Sequence, residues 1–153
     1  MSTTVPGPIA LLAPVPLVHL WSAQDVPAPN LVAFGSDNVD LFLRLSQEGE
    51  PVDVYIVASR VEAAKQKYPQ REPEIFWCAR YRGWGWSSET EISSVRPEST
   101  FSDTPFTIFW KVSNLEPLPK KRPFKIAEMI PFGREKPYGE PFMPQGPILI
   151  EHP

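Results

Sequence analysis

The densest concentration of ligand-gripping residues in the chain is IFWCARYRGWGW at 75–86. Arg80 and Arg82 carry planar guanidinium forks that suit phosphate or carboxylate oxygens. Trp84 and Trp86, set off by Gly83 and Gly85, offer flat faces that stack on a nucleobase, a methylated cation or a sugar ring. The plainer reading of the tryptophans is core, since indoles are normally buried for their area. The plainer reading of the arginines is a solvated sheet face. Trp21, Trp77 and Trp110 are read as core. A second cationic group, KKRPFK at 120–125, supplies Lys120, Lys121, Arg122 and Lys125 as candidate anion contacts.

Other chemistries have fewer footholds. The two histidines are His19 and His152, the second next to the C-terminus, so a Ser-His-acid or Cys-His arrangement would have to rest on His19. Cys78, between Trp77 and Ala79, reads as a small buried hydrophobe rather than a reactive thiol. Gly83-Trp84-Gly85 precedes no helical pattern and is not a phosphate loop. The carboxylates show no spacing that singles out a pair, and no metal-ligand set is visible. Neither a catalytic residue, a metal nor a cofactor is expected.

The net charge of -3 hides a gradient, from -4 over residues 1–60 to +2 over 111–153. A strongly basic nucleic-acid binder would show in the total; here an anionic partner must be met by a local patch. The single cysteine excludes an intramolecular disulfide framework and fits a reducing compartment. IALLAPVPLVHLW at 9–21 is apolar, but no lysine or arginine precedes it, Pro14 and Pro16 interrupt it, and it is too short to span a bilayer. It is read as an extended segment joining the fold, and the expected location is intracellular, cytoplasmic or nuclear, with no membrane partner.

The elements that must position these residues are short, because 20 prolines against 8 glycines punctuate the whole chain. After an extended or mobile arm over 1–13, the alternation in PVPLVHLW predicts a first strand at 14–21, and LVAF at 31–34 a second. Ser36 and Asp37 stand where an N-cap should, ahead of Val39, Phe42, Leu43 and Leu45, predicting a helix near 37–47. VDVYIVAS at 52–59 alternates as a strand. Ser59-Arg-Val-Glu62 fits a capping box and predicts a helix at 60–68. Over 75–86, parity places Ile75, Trp77, Ala79 and Tyr81 on a core face. The same parity puts Phe76, Cys78, Arg80, Arg82, Trp84 and Trp86 together on the other. PFTIFWKV at 105–112 is a further strand, NLEPLP an edge or connection, and ILIE at 148–151 a last strand. Together these predict one α+β domain over 1–153: a curved, mostly antiparallel sheet or small β-barrel with two short helices.

The succession VDVYIVAS, FWCARYRGW, FTIFWKVSNLEPLP resembles the PUA-like superfamily of EVE, ASCH and YTH domains, over about residues 52–125. The resemblance implies a small barrel with flanking helices. It also implies a flipped modified base held in an aromatic cage beside a basic surface, carried here by Trp84, Trp86, Arg80 and Arg82. The net negative charge, the proline-rich C-terminal part and the lack of a cage tryptophan after the first helix depart from that pattern. The expected function is therefore non-catalytic recognition of nucleic acid or a modified base. The alternatives are a protein-interaction or carbohydrate-binding module using the same tryptophans, a small hydrolase or nuclease centred on His19, or an oligomer formed through an edge at 105–118.

Overall fold

Pro16 divides the N-terminal apolar stretch into two elements, where the sequence pattern suggested one strand at 14–21. Residues Ile9–Pro16 form strand β1, and Leu17–Gln24 form helix α1. A proline with its fixed φ at a helix start, followed by Leu17, Leu20 and Trp21 at helical spacing, explains the change. Most of the arm expected at 1–13 that can be described is thus buried strand. The structure, a computed structural model, describes residues 9–48, 53–97, 105–118, 125–140 and 142–153.

The remaining elements are β2 (Val32–Ser36), α2 (Val39–Glu48), β3 (Asp53–Ser59), α3 (Val61–Lys67), β4 (Phe76–Trp86), α4 (Thr90–Ser93), β5 (Ile108–Pro117), a single 3-10 turn (Ile126–Glu128) and β6 (Ile148–Glu151). The start of α2 is held one residue later than expected. Asn38 Oδ1 accepts from the Leu41 amide at 3.3 Å, and Ser36 Oγ accepts from the Asn38 amide at 3.1 Å. Asp37 instead turns to the residue just before the neighbouring β5, accepting from the Thr107 amide and hydroxyl at 2.9 and 3.0 Å. The capping box at Ser59 does not form. Arg60 takes the cap position in the left-handed region, φ 50°, with no side-chain cap hydrogen bond.

Six strands make one open, mixed sheet in the order β2-β5-β4-β3-β1-β6. The β1–β3 pair is parallel and the other four pairings are antiparallel. The α+β class with a curved, mostly antiparallel sheet therefore holds; the sheet does not close into a barrel, and two further short helices, α1 and α4, join the two expected. Strand β5 lies between β2 and β4 only over 108–112; residues 113–117 pair with β4 alone, beyond the end of β2, as the reading of this segment as an edge expected.

One face of the sheet carries the main core. Leu17, Leu20 and Trp21 from α1, Phe42 and Leu45 from α2, and Ala64 from α3 pack there on Leu11, Val54, Ile56, Trp77 and Trp110. Trp21, Trp77 and Trp110 are at most 2% exposed, in keeping with their reading as core. The outer face is covered twice, at opposite ends. Over β1, β3 and β6, Ile126, Met129, Tyr138 and Phe142 of the C-terminal segment pack on Ala10, Leu12, Val57 and Ile150. Over the start of β5, α4 sets Ile92 against Gly85, and Phe106 lies on Gly35. No described helix is long and apolar enough to cross a membrane.

Candidate functional site

Strand β4 holds the residues singled out by composition, and its ladder with β5 decides where they point. Trp77 lies opposite Pro117, Cys78 opposite Glu116, Arg80 opposite Ser113 and Tyr81 opposite Val112. The register then shifts between Tyr81 and Trp84, where Gly83 adopts φ 100°. A bulge of this kind sets two residues of one strand against one of its partner and resets the alternation. Trp84 consequently lies opposite Trp110, and Trp86 opposite Ile108, both buried core residues.

The four candidate residues are therefore not brought together. Arg80 and Arg82 are exposed on the outer face. Trp84 and Trp86 belong to the helix-bearing face, in edge-to-face contact with centroids 5.3 Å apart. Trp84 packs against Phe42 and donates its indole N–H to Ser46 Oγ of α2 at 3.2 Å. Trp86, 43% exposed, sits at the rim beyond it. One inserted residue has separated the arginines from the tryptophans by the thickness of the sheet.

Between the two covers of the outer face lies an open strip. Arg82 Nε donates to Ser113 Oγ at 2.7 Å, and that hydroxyl donates to Asn114 Oδ1 at 2.8 Å, so the guanidinium is fixed while its other N–H groups stay at the surface. Lys111 lies on the same face of β5, opposite the bulge. At one end, Arg96 stacks 4.5 Å from the Phe109 ring centroid and donates to the Ala33 carbonyl at 3.3 Å. At the other end, His152 Nε2 meets Asp53 Oδ2 at 2.6 Å and the Tyr55 hydroxyl at 3.3 Å. Burial, then Asp53 and Cys78, push the Tyr55 hydroxyl upward.

Cys78 lies on this strip with its thiol 3.9 Å from Glu116 Oε1. Burial, followed by the Glu116 and Asp53 carboxylates, pushes the thiol up to about 11, which favours the protonated form at neutral pH. Of the basic run, Lys120, Lys121 and Arg122 lie outside the described residues, and Lys125 is exposed at the head of the 3-10 turn. Among the described residues, no group of three His, Cys, Asp or Glu could hold a metal ion.

His19 stands on α1 and not on a strand. It lines a cavity of about 340 Å³ at the carboxyl ends of the parallel pair β1 and β3, together with Arg60, Arg96, Phe34, Phe106 and Trp110. Among the described residues that line it, none is acidic. Sequence reasoning passed over Arg60 and Arg96, which are 36 positions apart and share no local motif. The one local signal was the Pro16–Leu17 strand-to-helix junction. The chain matches no protein-family model, no curated protein and no solved structure, so the likeness to PUA-like domains stands on the quoted residues alone.

Proposed function

We propose that the chain is a non-catalytic recognition domain that binds single-stranded nucleic acid along the open strip of β4 and β5. The observation that carries this reading is the clamped Arg82, whose Nε is held by Ser113 while the rest of its fork faces solvent beside exposed Arg80. A guanidinium already fixed in place loses less freedom on meeting a phosphate than a free one. Lys111 extends the cationic row, and the Arg96–Phe109 stack ends it. A sheet face with no helix over it, carrying cations and an aromatic end, is a common platform for single strands. The strip is narrow and the chain is net negative, so binding is electrostatic and local.

Fluorescence anisotropy of a labelled single-stranded RNA, titrated at two salt concentrations, tests the reading. Affinity should fall steeply as salt rises, because neutralising phosphates releases counterions. Binding that ignores salt, or that is seen with an oligosaccharide and not with RNA or DNA, would oppose it.

A further inference from the structure

We infer that the strip of β4 and β5 selects guanine, and that Glu116 reads it by accepting from the N1–H and the N2 amino group of the base. The inference rests on the reading of the strip as a platform for single strands and adds a base identity to it.

A carboxylate stands among the cations of the strip. Pairing across the outer face sets Asp53, Arg80 and Ser113 in one row, and Tyr55, Cys78 and Glu116 in the next. Ser113 and Glu116 are three positions apart, so strict alternation would put them on opposite faces. The ladder shifts by one residue between them, where Asn114 adopts φ 57°. A bulge resets the alternation, and here it brings Glu116 to the outer face, where it meets the Cys78 thiol at 3.9 Å.

Glu116 is also at liberty to accept. It is exposed, and among the described residues it forms no ion pair with Arg80 or Arg82. The other carboxylate of the strip, Asp53, is already engaged by His152 Nε2 at 2.6 Å. A surface that only neutralised phosphates would gain nothing from Glu116, because a carboxylate repels them.

The chemistry of the four bases then decides the partner. An ionised carboxylate only accepts, through two oxygens. Guanine alone presents two adjacent donors, N1–H and the N2 amino group, on the Watson–Crick edge that single-strand readers use. Uracil flanks its one N–H with two carbonyls, and adenine and cytosine set their amino group beside a ring nitrogen acceptor. Two parallel bonds to one carboxylate are both the stronger and the more selective arrangement.

The dimensions suit one nucleotide. Cys78 and Arg80 are two residues apart on one face of β4, about 7 Å, so a phosphate on the arginines and a base edge at Glu116 belong to the same unit. Between them the floor is low and neutral. Cys78 and Tyr55 are half-buried side by side, and the His152 ring meets Tyr55 edge to face at 5.5 Å.

Anisotropy competition with the full chain tests the inference, using oligouridylate strands whose central residue is uridine, guanosine, inosine, cytidine or adenosine. The guanosine strand should bind about tenfold more tightly than the uridine strand. Inosine keeps N1–H but lacks the amino group, and should bind about threefold or more weakly than guanosine. Glu116→Gln turns one acceptor into a donor and should erase the guanosine preference, while affinity for the all-uridine strand stays within about twofold.

Three results overturn the inference and leave the strip standing, provided binding is salt-sensitive and lost in Arg80→Glu with Arg82→Glu. They are equal affinity for the guanosine and uridine strands, equal affinity for guanosine and inosine, and a guanosine preference that survives Glu116→Gln. If no strand binds, the strip reading falls and this inference falls with it.

Discussion

The two ends of β4 follow different rules. From Trp77 to Tyr81 the strand alternates strictly, with Trp77, Ala79 and Tyr81 buried and Arg80 and Arg82 exposed. From Trp84 to Trp86 the alternation is one residue out of phase, because Gly83 at φ 100° takes up an extra position opposite Lys111. Six adjoining residues thus divide between a charged outer surface and an aromatic inner one. Parity along a strand is trustworthy only as far as the first residue in the left-handed region, and a composite surface spanning such a point must be checked against the partner strand.

Substitutions can break this comparison at either end. The largest effect is expected at Trp84, half-buried against Phe42 and bonded to Ser46. Trp84→Ala should cost about 2–4 kcal/mol in chemical denaturation; a value near zero would place Trp84 on the surface after all. On the outer half, Cys78 should alkylate about two orders of magnitude more slowly in the folded than in the unfolded chain at pH 8, given a thiol pushed up to about 11. The sign follows from the folded state holding the proton more tightly. Labelling should accelerate as pH climbs towards 11, and the stability tied to that proton should decline as pH rises from the thiol's ordinary value through the folded one.

Next in size, Arg80→Glu with Arg82→Glu should lower affinity for single-stranded RNA by about tenfold or more while leaving the melting temperature nearly unchanged, as both side chains are exposed. Gly83→Ala probes the bulge itself. A Cβ there would meet nothing within 4 Å, so its cost of about 1–2 kcal/mol would be purely conformational. Trp86→Ala should have the smallest effect, within about 0.5 kcal/mol in stability.

Much of the scaffold was legible because burial imposes period 2 on half-covered strands. VDVYIVAS and ILIE became β3 and β6, and Phe42 and Leu45 marked the buried side of α2. The errors have local physical causes. PVPLVHLW satisfies strand alternation and helix spacing at once, and only Pro16 as a helix starter decides between them. Ser59 and Glu62 fit a capping box, but Arg60 turns left-handed and takes the cap position instead. The prolines at 117 and 119 did mark an edge, since residues 113–117 of β5 pair with β4 alone, beyond the end of β2.

Gly83 was visible as a glycine, yet whether it bulges depends on the pairing with β5. The cavity was not legible at all. His19, Arg60, Arg96 and Trp110 come from four separate segments, and only the completed sheet places them around one space.

The most direct single measurement is anisotropy of a labelled single-stranded RNA with three proteins, wild type, Arg80→Glu with Arg82→Glu, and Trp86→Ala, at about 50 and 200 mM salt. Salt-sensitive binding by the wild type and by Trp86→Ala, lost in the double arginine variant, is the predicted result. Loss of binding in Trp86→Ala with the arginine variant unaffected would contradict it, and would move recognition to the opposite face of the same strand.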